Sequence, residues 1–129
     1  VSKADIYKET GIQFMQINTL YQLFGMVERE DPTLEQAETF LMMPDLLNYW
    51  LTGQKTVEYS NASTTHMLDA HKRTWAKEML NTLGIPTHIF AEIISPGTVI
   101  GHVRPDVMQD IGLNAPALVV ATGSHDTAN

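Results

Sequence analysis

The segment Thr122-Gly123-Ser124-His125-Asp126-Thr127-Ala128-Asn129 places an imidazole, a carboxylate and two hydroxyls at four successive positions. It follows Ala117-Leu118-Val119-Val120-Ala121, five apolar residues without alternation, which read as a buried strand. In open α/β sheets, reacting groups gather where strands end at their carboxyl edges. An aspartate there can serve as a general base that takes the proton of a substrate hydroxyl. The same spacing suits a plain structural role, with Asp126 or Thr127 capping a following helix and Gly123 making the turn. Residue types alone leave both open. His125 can bond a substrate hydroxyl or tune Asp126. Neighbours on a strand point to opposite faces, however, so the two need not touch, and a satisfied or solvent-facing histidine is the plainer reading.

Elsewhere the chemistry-bearing residues are dispersed. His66 and His71 lie five apart, not the three or four that stack two ligands on one helical turn, and His88 and His102 stand alone. No histidine metal site is expected. The chain contains no cysteine, which excludes disulfides and thiolate metal sites and fits a reducing, cytoplasmic setting. Neither G-x-x-x-x-G-K-[ST] nor G-x-G-x-x-G occurs, so no glycine-rich loop is present to cradle phosphates. Trp50, Trp75, Met42 and Met43 are expected to fill the core, Glu28 to Asp31 to be a solvated helix end, and Asn61 to Thr65 to be an ordinary polar loop.

Eight basic and fifteen acidic residues give a formal net charge of −7 over 129 residues. Neutralising a phosphate backbone requires a basic surface, so a nucleic-acid partner is not expected, and neither is an anionic membrane surface. Apolar residues make up 43%, too many for a disordered chain. No run approaches the ~18 apolar residues of a membrane span, and the first residues lack the pattern of a signal peptide. The absent initiator Met fits an excised chain, and the abrupt end after Asp126 reads as a truncation before a helix.

The elements that must position Asp126 read as follows. Ile17, Leu20, Tyr21, Phe24 and Val27 share one face of a helix over 18–29, which Pro32 ends. A short helix is expected over 33–41. Met43, Leu46, Leu47, Trp50 and Leu51 form the core-facing stripe of a helix over 42–53, with Pro44 in the first turn and Gly53 at the stop. Residues 57–65 read as a loop with a short helix at 59–63. Residues 73–83 read as a helix closed by Gly84. Residues 85–94 look irregular with extended character, 97–101 a short strand, and 105–111 a helix closed by Gly112.

Several blocks in order resemble the FGGY family of carbohydrate kinases. They are Thr10-Gly11-Ile12-Gln13, Asn18-Thr19-Leu20-Tyr21-Gln22-Leu23, Leu41-Met42-Met43-Pro44-Asp45 with Leu51-Thr52-Gly53, and Glu58-Tyr59-Ser60-Asn61-Ala62-Ser63-Thr64-Thr65. Trp75 with Leu80, then Pro96-Gly97-Thr98-Val99-Ile100-Gly101, and Ser124-His125-Asp126-Thr127-Ala128 complete the series. Many family members carry Lys where Pro44 stands. Met-Pro-Asp, Glu-Tyr-Ser-Asn-Ala-Ser-Thr-Thr and His-Asp-Thr-Ala together resemble the branch that phosphorylates L-rhamnulose.

The resemblance implies an α/β fold, the later part of a ribonuclease-H-like (actin-like ATPase) domain, helix-rich with a few short strands. Residues 1–129 would be part of the N-terminal, sugar-binding domain, with an early phosphate-contacting hairpin and a C-terminal nucleotide domain lying outside them. Asp126 matches the family's catalytic base. His125 and Thr127 match positions that contact the sugar. The implied activity is transfer of the ATP γ-phosphate, with Mg2+, to the 1-hydroxyl of L-rhamnulose, giving L-rhamnulose 1-phosphate. These residues alone would be inactive without the C-terminal domain in cis. L-fuculose or xylulose as the sugar, or a stand-alone helical interaction module, are the alternatives.

Overall fold

The computed structural model describes residues 1–128; Asn129, the last residue of the segment singled out above, lies outside the described residues. The chain divides into two compact units, Val1–Phe40 with Ala62–Phe90, and residues 41–61 with 91 onward.

In the first unit, helix α1 (Lys3–Thr10) is closed at its start by a reciprocal capping box. Ser2 Oγ accepts the Asp5 N–H, and Asp5 accepts the Ser2 N–H. Helix α2 (Thr19–Glu28) begins one residue inside the predicted span. Asn18 holds the capping position, yet its amide donates to the Thr64 carbonyl, 46 residues away, instead of capping the helix. Helix α3 (Pro32–Gln36) is shorter than expected and is capped by Asp31, which accepts the Thr33 N–H. The core of this unit buries Ile6, Leu20, Leu23, Leu34, Met67, Leu68, Trp75, Met79, Leu80, Ile85 and Ile89. Trp75 is a core residue, as its type and spacing suggest, and lies 4.7 Å from the Phe90 ring.

The rest of the first unit departs from the expected single helix over 73–83. Strands β2 (Leu68–Asp69) and β3 (Thr74–Trp75) pair antiparallel around a tight turn, and the helix that follows, α6 (Lys77–Thr82), starts only after them. The turn is held by Asp69, whose Oδ1 accepts the backbone N–H groups of His71 and Lys72. Local side-chain bonding of this kind competes with helix formation. Gly84 ends α6 in the left-handed region, at φ +74°.

The second unit contains helix α4 (Met43–Thr52), strand β1 (Thr56–Glu58), and strands β4 (Glu92–Ile94), β5 (Val99–His102) and β6 (Leu118–Val120), with helix α7 (Pro105–Asp110) between the last two. The four-residue helix α5 (Tyr59–Ala62) follows β1 directly. Strand β1 pairs parallel to β4, Val57 opposite Ile93. Strand β6 pairs antiparallel to β5, with a register shift between Val99 and Gly101. The bulge lies where Gly101 meets α4: a Cβ there would stand 3.8 Å from Thr52 Cβ.

Two expectations are corrected in this unit. Met43, Leu47 and Trp50 do not face the core; each is more than half exposed, Trp50 at 54%. The buried positions of α4 are Asp45 and Thr52. The helix is turned this way because Asp45 Oδ1 accepts the Glu58 N–H at 3.0 Å and the Arg104 N–H bonds the Leu51 carbonyl. A buried polar anchor of this kind must keep its partner. Strand β6 is also not buried on both sides. Val119 is inside while Leu118 and Val120 are exposed, the alternation of a strand covered on one face.

A Cβ on Gly84 would stand 3.1 Å from Val27 Cγ1, in addition to the left-handed strain. Gly84→Ala is expected to destabilise the protein by about 1–2 kcal/mol, read as a lower denaturation midpoint.

Candidate functional site

The chain leaves β6 through buried Ala121, whose N–H bonds the Thr98 carbonyl, and then turns sharply. The turn closes with the Ala128 N–H on the His125 carbonyl at 2.9 Å. Gly123 eases this closure: a Cβ there would lie 3.1 Å from the Ala128 carbonyl oxygen, a tight contact. Asp126 stands at the outer corner with its side chain 91% exposed.

All three residues proposed from the sequence meet here. His125 Nε2 lies 3.1 Å from Asp126 Oδ1. The Thr127 N–H donates to the same oxygen at 2.8 Å and its hydroxyl at 3.3 Å. His125 and Asp126 touch because they occupy a turn, where the alternation of a strand does not apply. Two Thr127 donors and the His125 ring nitrogen thus crowd onto Oδ1, and Oδ2 stands outside these contacts. Among the described residues that leaves one carboxylate oxygen of a 91% exposed side chain able to accept a proton.

Beneath this turn lies a feature the sequence did not reveal. Glu58, 1% exposed, ends β1 with its carboxylate inside the unit. Its Oε1 accepts the Ser60 N–H at 2.8 Å. Its Oε2 accepts the Ser124 N–H and the Ser124 hydroxyl, each at 2.9 Å, the Asn61 N–H at 3.3 Å, and the Ser60 hydroxyl in a short bond. Ser60 Oγ in turn accepts the His125 N–H at 3.3 Å. Burial pushes the Glu58 carboxyl up, but the bonds from Ser60 and Ser124 outweigh it and hold the group below its ordinary value. The legible signal was an acid at the end of a β-branched run, two residues before a serine whose N–H it could accept.

Asp45, 2% exposed, completes the buried cluster. Its Oδ2 has no hydrogen-bond partner among the described residues. Desolvation, reinforced by the nearby Glu58 charge and opposed by the Glu58 N–H, raises its carboxyl to about 6. Among the described residues no group of three His, Cys, Asp or Glu side chains could hold a metal ion, and no helix is long and apolar enough to cross a membrane.

A sequence profile of the FGGY family of carbohydrate kinases, N-terminal domain, matches residues 1–129. The chain belongs to the FGGY family of carbohydrate kinases. Among curated FGGY relatives, it is 40% identical over 129 residues to the rhamnulokinase of Oceanobacillus iheyensis, covering all of this chain and 27% of that one. It is 42% identical over 125 residues to the rhamnulokinase of Pectobacterium atrosepticum, covering 96% of this chain and 24% of that one. The chain therefore spans about a quarter of the length of these relatives. Among solved structures it resembles a gluconate kinase from Lactobacillus acidophilus, with TM-score 0.84 at 21% identity, covering 92% of this chain and 24% of that one. It also resembles Plasmodium falciparum glycerol kinase, with TM-score 0.78 at 20% identity, covering 95% and 25%. The fold is thus the ribonuclease-H-like, actin-like one of FGGY kinases.

The raised Asp45 carboxyl makes a signed prediction. A carboxyl whose folded pKa exceeds its unfolded value stabilises when protonated, and that contribution is lost as pH rises through the folded value. Asp45→Asn removes the titration while keeping an oxygen for the Glu58 N–H. Thermal unfolding of the whole protein is expected to show the wild type losing ground against this variant as pH rises from 3.8 to about 6.

Proposed function

We propose that residues 1–129 form part of the sugar-binding N-terminal domain of a kinase that moves the γ-phosphate of ATP to the 1-hydroxyl of L-rhamnulose. Asp126 acts as the general base. His125 and Thr127 contact the sugar. The observation that carries this reading is the solvent-facing Asp126 carboxylate, held by one oxygen at the end of β6, in a chain about 40% identical to rhamnulokinases.

The 1-hydroxyl must be aligned with the phosphorus and lose its proton as the new bond forms. Asp126 Oδ2 receives that proton, while Oδ1 is kept occupied by His125 and Thr127. The sugar oxygen bonds the γ-phosphorus, the bond to the β-phosphate oxygen breaks, and ADP leaves with that electron pair. His125 and Thr127 flank the carboxylate and so sit beside any hydroxyl it accepts. The described residues supply no magnesium cradle and no glycine-rich phosphate loop. The chain spans about a quarter of the length of its rhamnulokinase relatives, which supports a C-terminal domain in cis that binds ATP with its Mg2+.

The whole protein with MgATP is tested for ADP release on L-rhamnulose, L-fuculose, D-xylulose and glycerol. Fastest turnover is expected on L-rhamnulose. Asp126→Asn is expected to lower kcat by roughly 10²–10⁴-fold while sugar binding persists. Faster turnover of another sugar would retain the kinase and overturn the choice of ketose; full activity in Asp126→Asn would overturn the base.

A further inference from the structure

We propose that Glu58 is a positioning residue for Asp126, fixing the turn that carries the base through Ser124 and Ser60. The proposal rests on the reading of Asp126 as the base.

Two bonded routes connect Glu58 to the turn. One is direct: both the N–H and the hydroxyl of Ser124, two residues before Asp126, donate to Glu58 Oε2. The other passes through Ser60, whose hydroxyl donates to Glu58 and accepts the His125 N–H. Successive backbone N–H groups, of Ser124 and His125, are therefore held from below by one buried acid and its serine. By contrast, among the described residues the Asp126 side chain bonds its neighbours His125 and Thr127. Such local bonds move with the turn, so the aim of this exposed side chain follows the backbone that Glu58 holds.

The carboxylate suits this task better than its isosteres. Five N–H and O–H donors from Ser60, Asn61 and Ser124 point at Glu58, and it accepts them all with no proton of its own to place. Glutamine would turn an NH2 group toward at least one of these donors. The Ser60 and Ser124 hydroxyls could rotate, but the backbone N–H groups could not, and the turn would shift. A displacement on the scale of 1 Å costs roughly 10²-fold in a positioned reaction.

The test is a double-mutant cycle on the whole kinase, using ADP release with the sugar that the wild type turns over fastest. Glu58→Gln is expected to lower kcat roughly 10–100-fold, with KM for ATP unchanged and KM for the sugar changed less than about threefold. In the Asp126→Asn background the same substitution is expected to cost less than about threefold, because the group it positions is gone. Equal losses in both backgrounds would mean general damage to the fold and would overturn the proposal. An inactive Asp126→Asn beside a fully active Glu58→Gln would overturn it while leaving the base in place. A fully active Asp126→Asn would remove the base and the positioning role together. Should Glu58→Gln fail to fold, Ser124→Ala and Ser60→Ala each delete one bond to the carboxylate. Each is expected to lower kcat roughly threefold to tenfold, and unchanged kcat in both would overturn the proposal.

Discussion

A carboxylate taken out of water must be met by donors, and at Glu58 the donors of Ser60, Asn61 and Ser124 are neutral N–H and O–H groups. The bonds join three stretches of the chain. Glu58 itself ends β1, Ser60 and Asn61 begin α5, and Ser124 follows β6. Satisfying one charge therefore ties a strand end, a helix start and the turn bearing Asp126 into one arrangement. The cost of leaving that charge unpaired keeps all three in register, and the exposed site inherits its order from the buried acid below it.

Asp45 extends the same logic one layer further. It accepts the Glu58 N–H, which fixes the rotation of α4 against β1, and leaves Met43, Leu47 and Trp50 outward. Two buried acids side by side are electrostatically awkward. The chain resolves this by treating them differently. Glu58 gathers five hydrogen bonds and stays below its ordinary value, while Asp45, with Oδ2 unpartnered among the described residues, is pushed up to about 6. The same neighbourhood thus stabilises one negative charge and resists a second.

Gly123 and the Glu58 cluster solve separate parts of one problem. The glycine lets the backbone fold back against Ala128 without a clash. The hydrogen bonds choose which folded-back arrangement is adopted. The result displays, among the described residues, a solvent-exposed carboxylate with one oxygen occupied and the other outside those bonds.

Local physics was legible in the sequence wherever neighbouring residues decide the conformation. The helix over 43–52 with Pro44 near its start and Gly53 at its stop, the helix over 105–110 closed by Gly112, and the glycine stop at 84 all follow from capping and φ preferences. The ordered blocks that mark the FGGY family, including Ser-His-Asp-Thr-Ala, were legible too, because family motifs are contiguous. What only the tertiary structure decided depends on partners distant in sequence. Glu58 and Ser124 are 66 residues apart, and Asp45 and Glu58 are 13 apart. Periodicity assigned the apolar stripe of α4 to the core because it weighs hydrophobicity alone; the helix instead faces inward with Asp45. The strand at 56–58 and the β2–β3 turn escaped for a related reason. Short strands carry little periodic signal, and a strand exists only by virtue of a partner that lies elsewhere in the chain.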